Sequence, residues 1–175
     1  MTELELTFAD RRQATFRPLE LHFHAPSEHT VDGSLYDLEL HIVHTTVDES
    51  GNEAAGAVLG VFFDVKEGGN EENAFIDSLF EAIKTRDTSR KDVGITDFLA
   101  FIDMKEFWSY DGSLTTPPCT EGLKWSIIEE VQSISKEQLH EFTKHLAENT
   151  GFADGNGNSR RVQPLNDRIL YTAKR

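Results

Sequence analysis

The chain has 175 residues, 38% hydrophobic and 10% aromatic, which suits one globular domain over 1–175 and excludes a disordered chain. A net charge of −14, from 17 basic and 31 acidic residues, excludes a phosphate-backbone binder and therefore a nucleic-acid partner. No run of about 18 apolar residues is present for a membrane span, and the single cysteine, Cys119, excludes an internal disulfide or a multi-cysteine zinc cluster.

The first half of the chain reads as strands. "PLELHFHA" (18–25) alternates, so His22 and His24 project from one face and Leu21 and Phe23 from the other. Glu28 and His29 follow at a turn, where His29 is expected to be a structural hydrogen-bonder, and "VDGS" is a turn signal. In "YDLELHIVHTT" (36–46), Glu39, His41 and Val43 share one face, and Leu38, Leu40, Ile42 and His44 the other. "AGAVLGVFFDV" (55–65) is a continuous apolar run typical of a buried strand.

"NEENAFIDSLFEAIKTRD" (70–87) carries Phe75, Ile76, Leu79, Phe80 and Ile83 at helical spacing, after a solvated acidic start in "GGNEEN". "KEFWSYDGSL" (105–114) and "LKWSIIEEVQSI" (123–134) read as strands again. "SKEQLHEFTKHLAEN" (135–149) opens with Ser135 and Gln138, a capping-box start to a surface helix whose His140 and His145 are expected to face solvent. "TGFADGNGNSRR" (150–161) is a loop and "DRILYTA" (167–173) a last short strand. The order predicts a mixed, β-dominated fold with peripheral helices and no regular βαβ units.

His22 and His24 form a chelating pair beside an apolar layer. If the two histidine-bearing strands are neighbours, His41 or His44 can complete a three-histidine site, but not both. His41 is preferred because Glu39 shares its face and can orient a metal-bound imidazole. One histidine alone would be a satisfied polar group. An H-x-H pair with an E-x-H on another strand points instead to a metal, and three imidazoles with a fourth position open suit a catalytic zinc.

The stretch "FWSYDGSLTTPPCTEGLKW" (107–125) contains two threonines and two prolines, a stiff segment bearing two hydroxyls. Together with "LELHFHAPSEHTVDG" and "YDLELHIVH", in this order, it closely resembles the alpha-class carbonic anhydrases, from about Leu19 to the closing "RRVQPLNDR" (160–168). The resemblance implies that family's central twisted, mostly antiparallel β-sheet and the reversible hydration of carbon dioxide to bicarbonate by zinc-bound hydroxide. Such zinc lowers the pKa of its water to about 7, an effect for which this family is itself the reference case.

The resemblance further implies Zn2+ on His22, His24 and His41, and a relay in which Thr115 accepts from the hydroxide and donates to Glu28. It implies an apolar substrate wall of Val43, Val58, Leu114 and Trp125, with Thr116 beside it, and supporting roles for Glu39 at His41 and the Asn158 carbonyl at His24. Glu20 stands where the family commonly has glutamine beside the first zinc histidine.

Residues 1–18 match nothing in the family's N-terminal segment, so the chain is expected to be an N-terminally incomplete member with exposed edges that favour homodimers. That segment carries the family's proton-shuttle histidine, and none of His29, His44, His140 and His145 matches it. "MTELELTFADRR" lacks the features of a signal peptide, yet the Cys119 context resembles secreted members, so a secreted or periplasmic location is expected. Two alternatives remain: a carbonic-anhydrase-like binding or scaffold domain with little activity, and a cupin-like barrel in which Glu28 is itself a metal ligand.

Overall fold

The computed structural model describes residues 4–7, 13–47, 53–85, 95–149 and 157–173. A seven-stranded sheet is built from β1 (Leu4–Thr7), β2 (Gln13–His24), β5 (Leu38–Val47), β6 (Glu53–Phe63), β8 (Glu121–Ile128), β7 (Phe107–Ser113) and β9 (Tyr171–Ala173), in that spatial order. Every adjacent pair is antiparallel except β6 and β8, which are parallel. The parallel step needs a long crossover, and α1 (Ala74–Thr85) and α2 (Ile95–Phe101) lie in it. A hairpin of β3 (Thr30–Val31) and β4 (Ser34–Leu35) closes the "VDGS" turn. Its central residues, Asp32 and Gly33, have φ of 50° and 79°, the left-handed conformation that a two-residue hairpin turn demands.

The two faces of the sheet have different fates, and the period-2 alternation decides which residue meets which. Leu40, Ile42, Leu59, Val61, Phe63 and Phe23 face a core covered by Phe75, Ile76 and Phe80 of α1, Phe98 of α2 and Phe142 of α3 (Lys136–Asn149). The opposite face carries His22, His24, Glu39, His41, Val43, Val58 and Trp125, aligned by strand register. Among the described residues the helices thus lie on one side of the sheet and the histidines on the other.

Local rules explain the joints. Pro18 has no N–H for the ladder, and the β2–β5 register shifts between Pro18 and Glu20. Asn73 caps α1, its Oδ1 accepting from the N–H of Phe75 at 3.1 Å. The capping box of α3 forms as expected: the Ser135 Oγ accepts from the Gln138 N–H at 3.1 Å, and the Gln138 Oε1 from the Ser135 N–H at 3.2 Å. Gln138 is buried and its side-chain amide also donates to the Asn73 carbonyl at 3.0 Å, tying α3 to the start of α1.

Some expectations need correction. The predicted helix over 70–87 is observed as Ala74–Thr85, and the last strand is confined to Tyr171–Ala173. β2 begins at Gln13 rather than Pro18, and β1 and α2 are elements that the sequence pattern does not predict. His140 is exposed as expected, but His145 is half-buried. Residues 150–156 of the predicted loop lie outside the described residues. Among the described residues no helix is long and apolar enough to cross a membrane. Around the β9 end, Val162, Leu165, Ile169, Leu170 and Tyr171 are exposed.

Candidate metal centre

β2 and β5 place His22 directly opposite His41, and His24 opposite Glu39. Strand parity thus selects His41 as the third histidine. His44 is buried away from the triad, its Nδ1 2.9 Å from the Ile42 carbonyl. One ring nitrogen from each of His22, His24 and His41 lies within 4.8 Å of the others.

The hydrogen-bond partners of His24 and His41 fix which nitrogen each of those rings can offer. A carboxylate or carbonyl oxygen only accepts, so a ring nitrogen bonded to one carries the hydrogen. His24 donates from Nδ1 to the Asn158 carbonyl at 3.3 Å. Its Nε2 is left buried and without a hydrogen-bond partner. His41 donates from Nε2 to Glu39 Oε1 at 2.9 Å, freeing its Nδ1. His22 Nδ1 lies 3.5 Å from Glu20 Oε1. One nitrogen of each ring can therefore be offered to a single ion, and the orphaned His24 Nε2 is the kind of buried polar atom that a cation satisfies.

Electrostatics favour the neutral rings that a metal requires. Burial, then the nearby His41 and His24, pushes the His22 pKa down to about 4. Burial and His41 also lower His24, outweighing the opposing pull of Glu28 and the Asn158 hydrogen bond. Both shifts favour the neutral, singly protonated ring, which keeps one nitrogen lone pair to offer a metal.

Glu39 anchors the layer beneath. Its Oε2 accepts from the backbone N–H groups of Glu28 and His29 at 2.8 and 3.0 Å, and its Oε1 from His29 Nδ1 at 2.6 Å as well as from His41. Burial disfavours the charged carboxylate, but His29 and His41, by charge and by hydrogen bonding, outweigh it and hold the Glu39 pKa below the usual range. His29 Nε2 is in turn hydrogen-bonded to the Tyr110 hydroxyl at 2.6 Å. His29 is thus a structural hydrogen-bonder, as expected. His29, Glu39 and His41 form a second compact group of potential ligands, but their direct hydrogen bonds occupy the space an ion would need.

Asn158 does more than its expected carbonyl contact. Its Oδ1 accepts from the Ala25 N–H at 3.0 Å and its Nδ2 donates to the Phe23 carbonyl at 2.8 Å, clasping the backbone on both sides of His24. Gly157, with φ of 89°, makes this approach possible: a Cβ there would lie 2.1 Å from the Ala25 carbonyl oxygen.

The remaining predicted residues surround the triad unevenly. Val43, Val58 and Trp125 stand in register across three strands, with Leu114 packed against them, as an apolar wall beside His41. Thr116 is exposed on the adjoining loop. Glu28 is buried; its Oε1 accepts from the Arg160 N–H at 2.7 Å and its Oε2 has no partner. Thr115 and Glu28 line one cavity of about 1000 Å³, together with His29, Tyr110, Arg160 and Arg168. No hydrogen bond joins Thr115 to Glu28 among the described residues. The three histidines lie outside that cavity, on the sheet face next to it.

Fold and site together place on one face of a β-sheet three histidines that could hold a single metal ion. The profile of eukaryotic-type carbonic anhydrase matches residues 2–174, and the chain belongs to that family. Alpha carbonic anhydrase 3 of Arabidopsis thaliana is 41% identical over 160 residues, covering 89% of this chain and 53% of the relative. Among solved structures, the alpha-carbonic anhydrase of Thermovibrio ammonificans in complex with sulfanilamide superposes with a TM-score of 0.66 at 36% identity, covering 89% of this chain and 62% of that one. A halotolerant carbonic anhydrase from Dunaliella salina superposes with a TM-score of 0.73 at 28% identity, covering 96% and 64%. The chain spans about half the length of the curated relatives it matches.

Proposed function

We propose that this chain carries the zinc centre of a carbon dioxide hydratase, interconverting carbon dioxide with bicarbonate and a proton. The observation that carries the reading is the clustering of three imidazoles, one with an orphaned buried Nε2, beside an apolar wall. His22, His24 and His41 would hold the ion. When bound, zinc supplies the Lewis acidity that makes a nucleophile available from water at neutral pH, an effect for which carbonic anhydrase is the reference case.

The chain's own groups do the rest. Val43, Val58, Leu114 and Trp125 offer an apolar, desolvated rest for an uncharged linear substrate, with Thr116 at its edge. Glu28 Oε2, buried and free to accept, serves as the terminus for the Thr115 hydroxyl, whose own acceptor lone pair then faces the reacting oxygen. This arrangement supports orientation of the nucleophile, an entropic contribution to rate. Glu39 and Asn158 hold His41 and His24 in the tautomers that face the ion.

The test is zinc content followed by a hydration assay. One zinc per chain with hydration that a chelator removes is the expected result. Zinc without hydration would favour a binding or scaffold role, and absence of zinc would overturn the reading.

Glu20 should tune this centre. Its carboxylate makes the His22 ring a stronger donor, which renders the metal less acidic, although Glu20 is 61% exposed and solvent weakens the effect. Glu20→Gln is expected to move the midpoint of the pH–rate profile to lower pH. An unmoved midpoint would sink the idea.

A further inference from the structure

Gly60 lies in the middle of β6, directly opposite His41 on β5 and Ile127 on β8. Glycine weakens a strand interior and usually marks a close approach. A left-handed φ is not the reason here, because only Gly33, Gly69, Gly122 and Gly157 have one among the described glycines. The reason is steric. A Cβ at position 60 would stand on the histidine face, 2.6 Å from Ile127 Cδ1 and 3.1 Å from Glu39 Oε1.

That oxygen is the one that accepts from both His41 Nε2 and His29 Nδ1. Four hydrogen bonds lock the Glu39 carboxylate, so it cannot yield without lengthening the contact that sets the His41 tautomer. Ile127 can yield by rotating or by losing a methyl. We infer that Gly60 is a positioning residue for the metal centre: its missing side chain leaves the space in which Glu39 aims His41. The inference rests on the zinc reading above and extends it to a residue that touches neither metal nor substrate.

The experiment separates packing from positioning. Zinc affinity, by chelator competition, and the melting temperature of the metal-free protein are measured for wild type, Ile127→Val, Gly60→Ala and the double variant. Ile127→Val deletes the Cδ1 that the new methyl would strike. Gly60→Ala should lose both melting temperature and zinc affinity. The double variant should recover most of the melting temperature while its affinity stays about 10- to 100-fold below that of Ile127→Val, the range for loss of a metal ligand's outer partner.

Recovery of affinity along with melting temperature would overturn the proposal, as would an affinity of Gly60→Ala within threefold of wild type. Failure of the double variant to fold would also overturn it, because relief at Ile127 should suffice for folding. If wild type itself binds no zinc, the zinc reading fails instead.

Discussion

Replacing His24 with alanine is expected to abolish stoichiometric zinc binding and carbon dioxide hydration together while leaving the metal-free fold intact. His24 is 3% exposed, and truncating a buried ring of that size would ordinarily open a costly cavity. Here the metal-free protein already bears an opposing cost, the unsatisfied Nε2, and an orphaned buried polar atom is worth about 1–3 kcal/mol. The substitution removes that penalty with the ring. The melting temperature without metal should therefore fall less than for Phe23→Ala next door, whose side chain packs among Phe63, Phe75 and Phe142 without any such offset. With zinc present the order should reverse: wild type and Phe23→Ala gain stability by binding and His24→Ala does not. Zinc affinity should drop by more than the about 10- to 100-fold typical of an outer partner, because a ligand itself is lost. Elemental analysis and paired melts with and without zinc read the outcome, and one zinc per chain in His24→Ala would show that the triad is not the metal site.

How far the sequence alone reveals this centre depends on sequence distance. The parity of two strands pairs His22 with His24 and sets His41 apart from His44, and the choice of His41 leans on Glu39 sharing its face, all because side-chain direction alternates locally. The Ser135–Gln138 box is equally local, and it forms. What pattern cannot supply is pairing across the chain. His29 reads as structural, but nothing local points to Tyr110, 81 residues away. Asn158 holds the Ala25 N–H across 133 residues through a loop with no periodicity. Gly60 reads as an ordinary member of an apolar run until register sets it against His41 and Ile127. Short elements fail for a different reason. α2 has seven residues, fewer than a window in which helical periodicity can be recognised, although Ile95 and Phe98 do carry its buried face. β2 reads from Pro18, where the alternation starts, whereas the strand begins at Gln13 and a register shift absorbs the proline. The polarity of its helix points His145 to solvent, but that property of the whole face does not determine each position on it, and His145 is half-buried.

Replacing Thr115 with valine should leave zinc in place and lower hydration by about 100-fold, the scale on which misorientation of a reacting group is felt. Valine keeps the branched shape and loses the hydroxyl, so the change tests hydrogen bonding rather than packing. The loop that carries Thr115 is pinned on either side: the Leu114 N–H donates to the Thr120 carbonyl, and the Cys119 N–H to the Thr116 carbonyl, each at 2.9 Å. A valine at 115 therefore has little freedom to move the backbone. Across the site, Arg160 occupies one Glu28 oxygen and leaves the other buried and unpartnered. An oxygen in that state has no low-energy alternative to a hydroxyl donor, and Thr115 lines the same cavity. Glu28→Gln should then lower the rate too, since an amide can present its N–H to the threonine and reverse the direction of the bond. If the two residues act as one relay, the double variant will lose scarcely more than Thr115→Val alone, because a broken chain cannot be broken twice. Rate losses that multiply in the double variant, or a zinc-loaded Thr115→Val enzyme turning over at the wild-type rate, would show that Glu28 and Thr115 act separately or not at all.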